Sequence, residues 1–340
     1  MHKIISYLRH RRDATLLLAT LVLLIAAIFK PTVPVKRDIY SYLFVVDISQ
    51  SMNVVDKELN GKPVSRLVYT QDTLHRIIRA MPCGTNVSIG LFAGVSVAAL
   101  YTPIEVCANY AAIHDTIDHL DWRTGWSGNS RIRESMLTLA RVIRSFPEPA
   151  QVVYFTDGEE APKLHAFNTR EFTDFQGGDD WLFVGVGSDK GTPIPKLDEN
   201  NQLIGYWANE SFAMQPGIAQ ISESNIGIRD DNVASGEGDR YLSRLDEEYL
   251  KSLAKEIRGD YVRGDSLQAV LAAMKDQKPA RRDTTAFNIG WLLASIAGVL
   301  FLSAYMPRHP LQALREVMGR LRRNRNSAQT SSAASAPDIV

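Results

Sequence analysis

The segment from Leu43 to Ser51 places the strongest constraint on how this chain can fold. It reads Leu-Phe-Val-Val-Asp-Ile-Ser-Gln-Ser, in which a run of β-branched and aromatic residues ends at a carboxylate followed by two hydroxyls at alternate positions. Such a run is typical of a buried parallel strand. Asp47, Ser49 and Ser51 would then lie at the carboxyl end of that strand, where their oxygens suit a hard cation such as Mg²⁺ or Ca²⁺. A turn or a helix N-cap is the alternative, because Asp and Ser are common in both.

Two long apolar runs lie near the ends of the 340-residue chain. Residues 14–29 contain only two threonines as polar interruptions, and residues 287–306 are apolar apart from one asparagine and a few small residues. At about 1.5 Å per residue the second run matches a bilayer core of about 30 Å, and both runs are predicted to be transmembrane helices. A cleaved signal peptide is the alternative for the first run, and a buried core helix is the alternative for the second.

The charge distribution predicts the topology of these helices. Residues 1–13 carry a net charge of +3 and the basic tail, residues 307–340, carries +4, so that the segment between them carries −7 in a chain of zero formal charge. By the positive-inside rule both termini are predicted to be cytoplasmic. The prediction is a two-pass protein of the bacterial inner membrane with its main domain in the periplasm. No nucleic-acid-binding domain is indicated.

Between the two apolar runs, short apolar strands alternate with amphipathic helices over residues 39–275. This alternation predicts one α/β domain, doubly wound, with a mostly parallel sheet and helices on both faces. Residues 188–240 follow neither the helical nor the strand pattern. Residues 327–340, at the end of the basic tail, are rich in serine and alanine and are predicted to be disordered.

The only two cysteines of the chain, Cys83 and Cys107, both lie in the segment predicted to be periplasmic. Cys83 precedes the second predicted strand, and Cys107 follows a third strand that returns antiparallel to it. Both cysteines are therefore expected at the end of the sheet opposite Asp47. A disulfide is predicted, because such a bond persists in an oxidising compartment, and a reduced buried pair is the alternative.

Three loops of the predicted domain are expected to meet at one edge of the sheet. Asp47 and Asp157 each follow a buried strand, and Ser130 opens a helix from a loop on the same edge. Turn and helix caps explain each of these residues separately. A metal site explains why all of them share one edge with Ser49 and Ser51.

These segments together resemble the von Willebrand factor type A domain. The resemblance rests on Asp-x-Ser-x-Ser after a hydrophobic strand, on a hydroxyl that opens a mid-chain helix, and on Thr-Asp-Gly-Glu at 156–159. It implies a metal-ion-dependent adhesion site whose ligands are Asp47, Ser49, Ser51, Ser130 and Asp157. The family usually has Thr in a Gly-Gly-Thr setting in its third loop, whereas this chain has Thr-Gly-Trp-Ser-Gly-Asn-Ser at 124–130. Thr124 and Ser127 are therefore alternatives to Ser130.

The expected ion is Mg²⁺, with Ca²⁺ and Mn²⁺ as alternatives, because the hydroxyls supply few ligands and Mg²⁺ commonly retains waters. Two carboxylates and three hydroxyls leave residual positive charge on a divalent ion. An Asp or Glu of a protein partner is therefore expected to complete the coordination. Trp122 and Trp126 flank the third loop and are interpreted either as aromatic anchors for that partner or as packing residues.

Further segments resemble the bacterial membrane-anchored A-domain proteins that are encoded beside MoxR-type ATPases. These segments are Ser51-Met52 with Asp56, Ser65-Arg66-Leu67, and the stretches at 191–195 and 245–250. Within that group, the flanking apolar runs and the cysteine-containing segments are similar to accessory proteins of methanol-oxidation clusters. This resemblance implies a role in maturation of a periplasmic methanol dehydrogenase, including calcium insertion. It also implies other A-domain proteins and a MoxR-type ATPase as partners.

Two other functions compete with the binding module. In a metal-dependent hydrolase the same ion would activate water, and Glu159 is the only nearby candidate for its general base. His75, His114 and His119 are expected on helical segments away from the site, and His165 has no metal-ligand spacing to another histidine. Each of these histidines is interpreted as a solvated surface residue. The third possibility is a structural membrane scaffold whose metal site is vestigial.

Overall fold

The computed structural model describes residues 12–127, 130–161, 171, 172, 175, 177–179, 181–212 and 232–305. The chain divides into two compact units, of which the larger is Asp38–Asp283 and the smaller contains the residues on either side of it. The predictions for residues 1–11, His165 and the segment 306–340 lie outside the described residues.

The described residues form fifteen strands and seven α-helices. The strands are β1 (Thr32–Ile39), β2 (Ser41–Asp47), β3 (Lys57–Leu59), β4 (Lys62–Val64), β5 (Asn86–Ala93), β6 (Ser96–Ala99), β7 (Ile104–Glu105), β8 (Gln151–Thr156), β9 (Trp181–Gly185), β10 (Thr192–Pro193), β11 (Pro195–Leu197), β12 (Leu203–Tyr206), β13 (Leu242–Ser243), β14 (Asp260–Arg263) and β15 (Arg281–Asn288). The helices are α1 (Arg12–Ile28), α2 (Arg66–Ala80), α3 (Tyr110–Asp118), α4 (Ile132–Ser145), α5 (Glu247–Ile257), α6 (Leu267–Asp276) and α7 (Gly290–Ala304).

The larger unit is organised around a seven-stranded sheet with the order β14-β9-β8-β2-β5-β6, in which β7 also pairs with β5. The five strands from β14 to β5 are parallel to their neighbours. Strands β6 and β7 run antiparallel to β5. The predicted mostly parallel sheet is therefore confirmed. Because β5 and β8 lie on opposite sides of β2, the chain reverses its winding direction at β2, and such a reversal creates a crevice at the carboxyl ends of the strands.

Helices cover both faces of this sheet, as predicted. On one face, buried side chains of α2, α3 and α6, including Leu74, Ile117 and Val270, pack in one core cluster with the sheet. On the other face, α4 and α5 contribute Met136 and Leu253 to a second cluster. Three helices begin at side-chain caps that are legible in the sequence: Ser65 for α2, Asp246 for α5 and Ser266 for α6 each accept a bond from a backbone N–H in the first turn.

The insertion that the sequence left unassigned, residues 188–240, contains small antiparallel sheets in its described part. Strand β11 pairs with β12 within the insertion, and β10 pairs with β13, which follows the insertion. A separate buried cluster supports them, formed by Val54, Ala161, Ile194, Trp207 and Phe212. The insertion is thus anchored on the segments that follow β2 and β8, next to the predicted metal site.

The predicted disulfide is confirmed. Cys83 and Cys107 are bonded, with Cα atoms 5.3 Å apart. Strand β5 begins three residues after Cys83, and Glu105 in β7 pairs with Asn86 at that start. The bond therefore lies at the end of the sheet opposite Asp47.

The smaller unit contains α1 and α7, which pack against each other. Helix α1 has 17 residues and α7 has 15, which correspond to about 25 Å and 22 Å of helix. Within the described ranges, no helix is both long and apolar enough to cross a membrane. The second predicted span was also placed too early, because residues up to Asn288 belong to β15, which pairs with β1. Most of the segment from Pro31 to Arg37, which follows α1, belongs to strand β1.

Candidate metal centre

Asp47 is the last residue of the central strand β2 and is fully buried. Its Oδ1 accepts a hydrogen bond from the backbone N–H of Ser49 at 2.9 Å. Its Oδ2 accepts one from the hydroxyl of Thr156, at the end of the neighbouring strand β8, at 2.7 Å. The chain then enters a 3₁₀ turn, Gln50–Asn53, and the Oγ atoms of Ser49 and Ser51 lie 3.1 Å apart. The Asp-x-Ser-x-Ser spacing thus gathers its three oxygen-bearing side chains locally.

The electrostatic environment of Asp47 disfavours its charged form. Burial, followed by the charge of Asp157, raises the pKa of Asp47 to about 7, against hydrogen bonds from Ser49 and Thr156 that lower it. Two carboxylates that approach each other in a buried site repel unless a cation or a proton compensates them. The arrangement is therefore one that a bound cation would stabilise.

Ser130 lies between the ends of two strands of the sheet. It forms isolated bridges with Gly94, just after β5, and with Ala161, a few residues after β8. Its backbone exchanges hydrogen bonds with that of Ala161 at 3.2 and 2.7 Å. Its hydroxyl oxygen is buried and has no hydrogen-bond partner among the described residues. An unpaired buried hydroxyl costs free energy, so this oxygen has unused capacity to bind a ligand.

The two alternatives to Ser130 are placed differently. The hydroxyl of Thr124 donates to the backbone carbonyl of Asp121 at 2.6 Å within an exposed 3₁₀ turn. Ser127 packs against Gly94, whose φ of +62° and lack of a side chain permit this approach, since a Cβ on Gly94 would lie 2.8 Å from the Cβ of Ser127. Among Thr124, Ser127 and Ser130, Ser130 is the residue that lines the same cleft as Ser49 and Ser51.

Asp157 follows β8 and is fully buried. Its Oδ1 accepts the backbone N–H of Glu159 at 3.0 Å. Its Oδ2 accepts a charge-assisted hydrogen bond from the guanidinium of Arg66 at 2.7 Å. Each carboxylate oxygen has a second lone pair, so these contacts leave Asp157 able to accept a further ligand.

Arg66 is the central residue of a buried ion-pair network that sequence reasoning did not place in the site. Its guanidinium bonds both carboxylate oxygens of Asp56, the Oγ of Ser243 at 2.7 Å and Oδ2 of Asp157. Burial alone would lower the pKa of Arg66, but the charge of Asp157 and the contacts with Asp56 outweigh it and raise that pKa. Asp56 and Arg66 both lie in segments that carry the family resemblance, and this was the sequence signal that could have pointed to them. A single Arg on a helix does not show which distant carboxylates it contacts.

Two further carboxyls follow Asp157. Burial, and then the charge of Asp157, raise the pKa of Glu159 to about 7. Burial raises the pKa of Glu160 to about 7, and its Oε1 accepts bonds from the backbone N–H of Arg133 and the hydroxyl of Tyr249. Glu160 therefore connects the loop after β8 to α4 and α5.

A small cleft opens at this point of the molecule. Its lining residues are Ser49, Gln50, Ser51, Ser130, Glu159, Ala161, Phe212 and Tyr241. The structure thus brings three of the five predicted ligands to one surface. Asp47 and Asp157 do not line the cleft; they are buried and connect to it through the backbones of Ser49 and Glu159.

The three hydroxyls that line this cleft and the two buried carboxylates connected to it fit a hard divalent cation. The five side chains offer oxygen alone, which is the ligand type that Mg²⁺, Ca²⁺ and Mn²⁺ accept. Asp47 and Asp157 are fully buried and the side chain of Asp56 is 3% exposed, so their negative charges exceed the positive charge of Arg66. The Oγ of Ser130 is unpaired among the described residues. Soft-metal ligands do not contribute to the cleft in the described part of the chain.

The predictions for the histidines were partly wrong. His119 is exposed, as expected for a solvated residue. His75 on α2 and His114 on α3 are instead half-buried and in contact, with Nδ1 atoms 2.6 Å apart, and Nε2 of His75 lies 2.8 Å from Asp118. Neighbouring helices bring them together, which the spacing of 39 residues does not predict. Neither of them lines the cleft.

Comparison with known proteins supports the domain assignment. Residues 42–160 match the von Willebrand factor type A domain family, and all five predicted ligands fall within this stretch. A comparison with curated protein sequences finds no significant match.

Several solved structures are similar to this chain at low identity. An aerotolerance-related membrane protein from Bacteroides fragilis is 20% identical, over 70% of this chain and 98% of that one, with a TM-score of 0.46. BatB from Bacteroides thetaiotaomicron is 19% identical, over 70% and 100% of the two chains, also with a TM-score of 0.46. A membrane-spanning protein from Vibrio fischeri is 16% identical, over 70% and 97%, with a TM-score of 0.28. Similarity at this level carries no inference about ligands or partners. The match of residues 42–160 supports a von Willebrand factor type A domain in this part of the chain.

Proposed function

We propose that this protein is a binding module that holds a divalent cation, with Mg²⁺ favoured, through Asp47, Ser49, Ser51, Ser130 and Asp157. The cation keeps one coordination position for a carboxylate of a protein partner. The observation that carries this proposal is the convergence of three hydroxyls from two distant loops in one cleft, where the Oγ of Ser130 is buried without a partner. A set of helix and turn caps would leave each hydroxyl bonded to its own backbone, as the hydroxyl of Ser65 is.

The charges support the same proposal. Asp47 and Asp157 are both fully buried, and the positive charge of Arg66 is shared between Asp157 and Asp56. A divalent ion adjacent to Asp47 would compensate the remaining negative charge. Because the hydroxyls are neutral, the ion would keep enough positive charge to attract an incoming carboxylate.

The direct test is ion binding by the full-length protein. Mn²⁺ serves as the probe, because its paramagnetic resonance signal reports the free ion and its effect on water relaxation reports open coordination positions. Asp47→Asn and Ser130→Ala should each weaken Mn²⁺ binding, the former more, since a neutral hydroxyl can be replaced by water. Matched controls are Asp115→Asn at an exposed site and Ser145→Ala at the far end of α4, and both should bind as the unmodified protein does. Equal Mn²⁺ binding by all four variants would refute the proposed site.

The carboxylate-binding step needs its own measurement. Adding a glutamate-containing peptide to the Mn²⁺-loaded protein should reduce the water relaxation enhancement, because the carboxylate displaces a bound water. Magnesium should compete with Mn²⁺ for the site. An unchanged relaxation at saturating peptide would show that the ion does not accept a carboxylate.

A metal-dependent hydrolase is the second candidate, because Glu159 lines the same cleft and supplies a carboxyl, the type of group that a general base requires. Glu159→Gln separates the two functions. A binding module should keep carboxylate binding in this variant, whereas a hydrolase would lose its turnover of ester or phosphoester substrates.

We further propose that the partner is a periplasmic enzyme of the methanol dehydrogenase type, and that the protein acts in its maturation together with a MoxR-type ATPase. The family resemblance of the sequence supports this role. Purified methanol dehydrogenase should be captured by the protein in the presence of Mg²⁺ and released by a chelator. Capture that survives both the chelator and Asp47→Asn would contradict an ion-dependent contact.

We also propose that α1 and α7 attach the protein to a membrane and that the disulfide-bonded domain is periplasmic. Supporting this, Leu18 and Val22 on α1 and Val299 and Leu302 on α7 are more than half exposed, which is costly in water. Reporter fusions should place residues 35 and 280 outside the cytoplasm and residue 320 inside. A cytoplasmic signal from a fusion at residue 280 would overturn the topology.

A further inference from the structure

A second, larger depression lies beside the metal cleft. The 3₁₀ turn that carries Gln50 and Ser51 separates the two, because these residues line the cleft whereas Asn53, at the end of the turn, lines the larger depression. Its volume is about 590 Å³, within the range of ligand-binding pockets. We name it the apolar groove, after the lining residues Val55, Val68, Leu120, Trp122, Pro193 and Leu203.

The apolar groove contains several large apolar side chains that are exposed to solvent. Val55 is 50% exposed, Val68 is 44% exposed and Leu203 is 56% exposed. They come from three separate parts of the chain: the segment after the turn, the first turn of α2, and strand β12. Scattered exposed apolar residues are normal, but a concave set of them marks a binding surface.

The walls of the apolar groove are held together by hydrogen bonds. The indole N–H of Trp122 donates to the side-chain oxygen of Asn201 at 2.7 Å, and the guanidinium of Arg123 donates to the carbonyl of Glu199 at 2.5 Å. The amide of Gln71 donates to the carbonyl of Leu120 at 3.0 Å. The insertion is thus fixed to the loop before α4, so a ligand need not order these walls, which lowers the cost of binding.

Within the described ranges, the two charged residues that line the apolar groove are both acidic. Asp121 is neutralised by Arg123, with which it forms a bidentate pair. Asp118, at the end of α3, has a side chain that is 64% exposed and contacts Nε2 of His75. A ligand with a carboxylate inside the groove would be repelled, whereas a Lys or Arg beside Asp118 would be attracted.

We propose that the apolar groove binds an apolar stretch of a partner protein, in extended conformation, that is flanked by an acidic residue on one side and a basic residue on the other. The acidic residue fills the cation position of the cleft, the apolar side chains occupy the groove, and the basic residue pairs with Asp118. The part that concerns the acidic residue rests on the proposed function.

The test uses the full-length protein loaded with Mn²⁺ and two fluorescein-labelled peptides, acetyl-Asp-Leu-Val-Leu-Lys-amide and its reversed sequence, since either chain direction satisfies the proposal. At least one should bind, measured by fluorescence anisotropy. Val68→Asp and Leu203→Asp should each weaken binding about tenfold or more, because an exposed apolar side chain that the peptide would cover is replaced by a charge. An Asp at position 68 suits the first turn of α2, so this variant should fold. Leu100→Asp, at a site that is 46% exposed beyond the groove, is the matched control and should bind normally.

The basic residue has a separate measurement. Replacing the peptide's Lys by Gln should weaken binding to the unmodified protein and have little effect on Asp118→Asn. An equal loss in both proteins would remove Asp118 from the proposal.

The outcomes separate the groove from the cation site. If Mn²⁺ binds and Val68→Asp and Leu203→Asp bind peptide as well as Leu100→Asp does, the groove proposal is overturned while the proposed function stands. If Mn²⁺ does not bind, the proposed function fails, and the groove proposal is then tested by peptide binding in a chelator. Weaker peptide binding by Val68→Asp than by the unmodified protein would support the groove, and equal binding would refute it. Failure of both peptides to bind the Mn²⁺-loaded protein overturns the proposal.

Discussion

Replacing Arg66 with methionine would remove the guanidinium that joins the buried carboxylates of Asp56 and Asp157. Methionine is also a long, unbranched side chain, so the change is mainly one of charge and hydrogen bonding. The substitution leaves Asp157 facing Asp47 without a compensating charge. We expect it to destabilise the larger unit strongly when no divalent ion is present.

The magnitude follows from burial. The side chains of Arg66 and Asp157 are 0% exposed and that of Asp56 is 3% exposed. Removing one partner of such a buried pair typically costs about 3 to 5 kcal/mol, because the other charge stays desolvated and unpaired. For a domain of this size, that loss corresponds to a fall in Tm of about 6 to 20 °C.

The assay is thermal unfolding of the full-length protein, followed by circular dichroism in a chelator and again in excess Mg²⁺. Arg123→Met is the matched control, because Arg123 also forms a bidentate pair with an aspartate, but at the surface. Surface pairs contribute little to stability, so this variant should unfold at nearly the same temperature as the unmodified protein. Saturating Mg²⁺ should recover part of the loss in Arg66→Met, since a ligand present at 100 times its Kd adds about 2.7 kcal/mol.

Two results would refute this reasoning. If Arg66→Met unfolded within the range of Arg123→Met, the buried network would not support the fold as described. If Arg66→Met were strongly destabilised but Mg²⁺ shifted the Tm of neither protein, the network would be structural and no ion would compensate Asp157.

Three further predictions concern stability. Asp47→Asn should raise the Tm measured in a chelator and abolish any shift caused by Mg²⁺, because it removes a buried charge whose pKa is raised to about 7; an unchanged Mg²⁺ shift would contradict it. Cys83→Ser should lower the free energy of unfolding in urea titrations by about 3 kcal/mol, and a reducing agent should then have no additional effect. Burial and the charge of His75 lower the pKa of His114 below 6.5, so the folded state binds fewer protons there than the unfolded chain. Stability should therefore fall as the pH drops below 6.5, and His114→Gln should reduce this dependence in thermal unfolding between pH 7.5 and 5; identical pH profiles would count against it.

Much of the sheet could be predicted because its central strands β2, β8 and β9 are fully buried on both faces. Continuous apolar runs such as that of β2 and β8 are recognisable without tertiary information. The strands of the insertion escaped prediction, because β10 and β11 have two and three residues and include prolines. Such short strands carry no periodicity, and their pairing depends on the cluster around Trp207 and Phe212.

The candidate site, too, was predictable from the sequence only in part. The sequence by itself determined the group formed by Asp47, Ser49 and Ser51, because alternate positions after a strand bring their oxygens together within one turn. Only the tertiary structure decided that Ser130 lines the cleft while Thr124 bonds its own turn, because both hydroxyls lie in one glycine-containing segment whose sequence does not show which of them faces the cleft.

Tertiary structure also decided the role of Arg66. Its partners Asp157 and Ser243 are 91 and 177 residues away along the chain. The sequence fixes local spacing through backbone geometry, and it indicates which side chains are apolar enough to be buried. Which charges meet in the interior depends on how helices and strands pack, because a buried guanidinium is stable only where the fold brings carboxylates and carbonyls to it from several elements at once.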